Sequence, residues 1–150
     1  MKKILVLFLA LLVSFVGCNG ETPGERNPNT PAPYEEIEPL EHFKCYVTGG
    51  NTAKTVLHDE AKDLYRMIIG SDLLDVEEEI DTASDHYTLV FYNSEQTYPE
   101  ATVPEEHFYG VYRIYESGLV RYTASPDSTL LFWYMTPADL YNEIYFYLNA

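Results

Sequence analysis

Positive charge is scarce in this chain of 150 residues, where nine lysines and arginines stand against twenty-four aspartates and glutamates. Two of the bases, Lys2 and Lys3, open the sequence, so beyond Cys18 seven bases face all twenty-four acids, a formal charge of −17. That balance argues against nucleic acid and against an anionic bilayer surface as partners, since both demand basic patches. Long apolar runs are missing too. The longest, Ile4 to Val16, has thirteen residues broken only by Ser14, whereas a spanning helix needs about 20. Catalytic signatures are absent: there is no GxSxG, P-loop, GxGxxG or HExxH, and His42, His58, His86 and His107 lie far apart. The chain is therefore read as a non-enzyme, with no cofactor and no metal implied. The acid-rich stretch Ser71 to His86 fails the calcium-loop template, because Ala83 and His86 fall where an acid and a glycine are required after Asp81. It reads as a solvated acidic connection.

Lys2 and Lys3, followed by the apolar run, have the layout of a secretory signal. The next residues, Phe15-Val16-Gly17-Cys18, resemble the lipobox of bacterial lipoproteins, with Phe15 standing where Leu is usual. That resemblance implies a signal peptide at 1–17, removal before Cys18, and a mature chain tethered to the cell membrane through a lipid on Cys18. With Cys18 acylated, Cys45 has no partner for a disulfide. Cys45 alternates with Phe43 and Val47 and reads as a buried, inert thiol, with Lys44 pointing to the opposite face.

Residues 18–40 carry five of the nine prolines and few large apolar side chains, which reads as a disordered Pro-rich linker. In extended polyproline form it would reach on the order of 60 Å. Residues 41–150 have the length of one domain. His42 to Thr48 alternates as a strand. Leu57, Ala61, Leu64 and Ile68 then form a helical stripe from about residue 53 to 69, with Thr52 as N-cap and Gly70 as the stop. Tyr87 to Asn93, His107 to Tyr115, Leu119 to Thr123 and Thr129 to Met135 read as further strands. Thr136-Pro137-Ala138-Asp139 reads as a helix start. The expectation is an α+β fold of order β-α-β-β-β-β-α: an antiparallel sheet of about four to five strands with two helices packed on one face.

Within YRIYESGLVRY, residues 112–122, the loop Glu116-Ser117-Gly118 fits a three-residue hairpin with Gly118 in the left-handed conformation. This sets Arg113 opposite Arg121, Ile114 opposite Val120 and Tyr112 opposite Tyr122. One face then carries Phe108, Tyr112, Ile114, Val120 and Tyr122. The other carries Tyr109, Arg113, Tyr115 and Arg121. Like charges in register repel. Either acids such as Glu116 or Glu95 neutralise them, or Arg113 and Arg121 receive an anionic ligand while Tyr109 and Tyr115 pack a sugar or peptide beside it. The reading that follows is a lipid-anchored, extracytoplasmic binding or interaction module with an envelope glycan, peptide or basic protein as partner. The alternative is an inhibitor or immunity-type lipoprotein that blocks a basic protein with its acidic surface.

Overall fold

The computed structural model describes residues 29–76, 84–98, 102–137 and 139–150. The signal segment, the lipobox-like Phe15 to Cys18, and Glu77, Glu78, Glu79 and Asp81 of the acidic connection lie outside the described residues.

The fold is mixed α+β, with more strands than the sequence suggested. Seven strands, β1 (Phe43–Gly49), β2 (Thr52–Leu57), β3 (Leu74–Val76), β4 (His86–Asn93), β5 (Phe108–Tyr115), β6 (Leu119–Thr123) and β7 (Phe132–Met135), form one sheet in the order β2-β1-β4-β5-β6-β7-β3. Every neighbouring pair is antiparallel. Among the described residues three α-helices accompany it: a single turn, α1 (Tyr34–Ile37), then α2 (His58–Ile69) and α3 (Leu140–Asn149).

The extra strands have local causes. Gly50 and Asn51 both take positive φ, 55° and 68°, the geometry of a two-residue turn that matches strand twist. The turn folds Thr52–Leu57 back onto β1 as β2, so the expected helix from residue 53 begins only at His58. Leu57, counted in the helical stripe, is exposed on the sheet edge. The helix does end where expected, with the Gly70 amide donating to the Arg66 carbonyl at 2.9 Å. In the acidic connection Leu74, Asp75 and Val76 pair with Met135, Tyr134 and Trp133 as an edge strand. Thr136 does not cap α3. Its hydroxyl donates to the Ser71 carbonyl at 2.6 Å, and Asp139 holds the N-cap position.

The core lies between α2 and the sheet. Tyr65 of α2 meets Phe43, Phe91 and Tyr112 edge to face at 5.8, 5.0 and 6.0 Å between ring centroids. Around them pack Cys45, Val47, Leu89, Ile114, Val120, Tyr122, Leu64, Ile68 and, from α3, Leu140 and Ile144. The aromatic packing supplies large apolar area in fixed geometry. Cys45 is fully buried, as its alternation implied, and Lys44 points the other way.

The expected linker shortens. Ala32 and Ile37 are buried in the core, the Tyr65 hydroxyl donates to the Ala32 carbonyl at 2.8 Å, and the Tyr122 hydroxyl to the Thr30 carbonyl at 3.3 Å. Residues 29–40 thus belong to the folded domain rather than to a tether ending at residue 40.

Candidate functional site

The β5–β6 hairpin forms with the register expected from its loop: Val111 faces Thr123, Tyr112 faces Tyr122, Arg113 faces Arg121 and Ile114 faces Val120. Gly118 has φ +86° and its amide donates to the Tyr115 carbonyl at 3.0 Å, closing the turn. Strand alternation places Tyr112, Ile114, Val120 and Tyr122 in the core and the two arginines on the opposite side.

The row continues beyond the hairpin. Arg113 also faces Thr88 on β4, and Arg121 faces Trp133 on β7. The Arg121 guanidinium carbon sits 5.9 Å from the Trp133 ring centroid, within reach of a cation–π contact. Trp133 in turn stacks with Tyr115, at 6.1 Å and 29° between planes, and His86 lies 5.1 Å from Tyr115 on its other flank.

Both arginines are half-buried, and the Arg113 Nε is buried with no hydrogen-bond partner among the described residues. Burial lowers the Arg121 pKa, the neighbouring Arg113 charge lowers it further, and Tyr115 opposes the shift. A guanidinium keeps its proton at neutral pH regardless. The acids expected to neutralise the pair sit elsewhere. Among the described residues the two ion pairs are His42 with Glu95 at 3.9 Å and Arg66 with Asp63 at 3.6 Å. Glu116 is exposed on the hairpin loop.

The four residues expected to share one face do not all meet. Arg113 and Arg121 are together. Tyr115 is beside them but only 2 % exposed, so it supports Trp133 from below instead of offering a ring to a ligand. Tyr109 is on the wrong side. At the β4–β5 pairing Phe91 faces Gly110 while Tyr92 faces Phe108, leaving Tyr109 as the extra residue of a bulge. Its ring meets Phe43 edge to face at 5.7 Å, and Phe108 moves to the other side with Tyr92. A glycine inside a strand pattern marks such a bulge, and Gly110 at φ +133° is that signal. Trp133, which the sequence reading did not place at the site, takes the position assigned to the tyrosines. Its alternation with Phe132 and Tyr134 was visible, but residues 124–131 make too long a connection to fix the β6–β7 register.

Two cavities are lined by none of Arg113, Arg121 and Trp133. One of about 630 Å³ is lined mainly by Pro31, Pro33, Tyr34, Arg66, Leu73 and Tyr134. Another of about 420 Å³ is lined by His42, Asn93, Glu95, Gln96, Tyr98 and His107. Below the second, the Lys44 ammonium donates to the carbonyls of Ser94, Glu95 and Gln96, which accounts for its burial. Among the described residues no group of three or more His, Cys, Asp or Glu side chains is placed to hold a metal ion. No described helix is long and apolar enough to cross a membrane. No family model, curated protein or solved structure matches the chain.

Proposed function

We propose that this chain is a membrane-tethered extracytoplasmic lipoprotein whose domain is a small binding module. In this reading α2 and α3 share one side of the sheet, and the other side recognises an anionic ligand. One observation carries it: among the described residues, two half-buried guanidinium groups stand in register with no carboxylate partner, and one of their donors has no acceptor. An unsatisfied buried donor costs about 1–3 kcal/mol, and a bound anion offsets both that cost and the repulsion between the pair. The half-buried, aromatic-edged face suits a glycan or peptide group.

Two measurements test the reading. The domain of residues 29–150 and its R113Q/R121Q variant are used to capture fragments from an envelope extract, and the variant is expected to lose what the wild type retains; equal retention removes the reading. For the anchor, Cys18→Ser is expected to release the protein from the membrane fraction. Ten residues lie between Cys18 and Asn29, so the eleven steps from the lipid would hold the domain within about 40 Å of the bilayer, at most 3.6 Å per step. Energy transfer from dye-labelled vesicles to a label at residue 29 reads that distance.

A further inference from the structure

Resting on that reading, the geometry points to a ligand class: a phosphate monoester carried on a ring, with the phosphate between Arg113 and Arg121 and the ring against Trp133. Charge is the first argument. The two guanidinium groups face each other across neighbouring strands in a half-buried setting, and both stay protonated. A carboxylate, a sulfate ester or a phosphodiester brings one negative charge and leaves the pair with one positive charge unmatched. A phosphate monoester near neutral pH brings close to two.

Shape is the second argument. A guanidinium offers a planar fork of donors that saturates one carboxylate edge. Two forks side by side need an acceptor with more than one edge, and the three terminal oxygens of a phosphate monoester present several. The buried Arg113 Nε adds a donor that has no acceptor among the described residues. Thr88, in register with Arg113 on its far side, places a hydroxyl at that end of the row.

The ring argument comes from Trp133. Its ring lies 5.9 Å from the Arg121 guanidinium carbon and 6.1 Å from the Tyr115 ring, and it remains half-buried rather than covered. A rigid aromatic surface of this kind binds sugar or aryl rings without a large ordering cost. The phosphate position and the ring position are thus one residue pairing apart along the row.

Trp133 is the sole tryptophan in the chain, so its fluorescence reports occupancy directly. Titrations of the 29–150 domain at pH 8 compare four probes: phenyl phosphate, phenyl sulfate, benzoate and inorganic phosphate. Phenyl phosphate is expected to bind about tenfold or more tightly than phenyl sulfate or benzoate, which share its ring but carry one charge. Inorganic phosphate is expected to bind more weakly than phenyl phosphate because the ring contact is lost. In R113Q and in R121Q, each checked for folding by circular dichroism, the preference for phenyl phosphate is expected to vanish, and Arg121→Lys is expected to restore it only in part.

Equal affinity for phenyl phosphate and benzoate, both lost in the variants, overturns the ligand class while leaving an anion site. Affinity that persists in the variants overturns the site itself. Failure of all four probes to bind overturns the proposal.

Discussion

The Tyr65 hydroxyl on α2 donates to the carbonyl of Ala32 at 2.8 Å, joining a residue of the expected linker to the most aromatic part of the core. Tyr65→Phe removes the donor and leaves a buried carbonyl to find another partner, at a cost of about 1–2 kcal/mol. Deleting residues 29–40 removes the buried Ile37 and Ala32 as well, and the loss should reach about 3 kcal/mol or more. Urea unfolding of chains starting at residue 29 and residue 41 measures the difference. Equal midpoints would show that the segment only rests on the domain.

Gly110, the single glycine of β5, is expected to resist replacement. Its φ of +133° lies where L side chains rarely go, and a Cβ there would come 2.5 Å from Cε2 of Tyr122. Gly110→Ala should destabilise the domain by about 1–3 kcal/mol through backbone strain alone. A thermal melt within a degree of wild type would mean that the bulge relaxes without cost.

How much of this was legible depends on where the deciding interaction sat in the chain. The β5–β6 register was legible because the three-residue loop and Gly118 determine it locally. The length of α2 was half legible. Its stop at Gly70 is local, but its start was hidden because Leu57 continues the helical period while Gly50-Asn51 had already reversed the chain into β2. Strand β3 was not legible, since Leu74-Asp75-Val76 resembles a solvated acidic stretch and becomes a strand only by pairing with β7, some sixty residues later. At the site, the arginines could be placed from the hairpin. Tyr109 could have been reassigned from Gly110, and Trp133 needed the β6–β7 register.

Opposed like charges should make the arginine pair a mild liability in the absence of ligand. Burial and the Arg113 charge both lower the Arg121 pKa, so Arg121 is held charged against its surroundings. Arg113→Gln is expected to leave stability unchanged or raise it by a few tenths of a kcal/mol, and to reduce the gain that wild type shows on adding salt. Thermal melts at low and high sodium chloride read both effects. A clear loss of stability in R113Q would show that the pair is already neutralised within the protein.

Alkaline pH should unfold the domain earlier than its neutral-pH stability suggests. Burial pushes the Cys45 thiol well above its ordinary 9.0, with a backbone hydrogen bond at Val90 opposing the shift. Burial also lifts the phenols of Tyr87, Tyr92 and Tyr134 above their ordinary 10.0. Each group keeps its proton in the folded state after the unfolded chain has released it. The folded state then binds more protons, and stability falls as pH rises past the unfolded values. Lys44 acts in the other direction. Burial lowers its pKa, with Glu95 opposing, so its contribution improves as pH climbs from that lowered value to 10.5. One lysine opposes a thiol and several phenols, and the net slope is downward. The urea midpoint should hold steady to about pH 9 and then decline. Cys45→Ala, which removes the thiol without overpacking the core, should delay the onset toward pH 10, while Lys44→Met should steepen the decline. A midpoint flat to pH 11 in the wild type would mean that Cys45 and these tyrosines reach water in the folded domain.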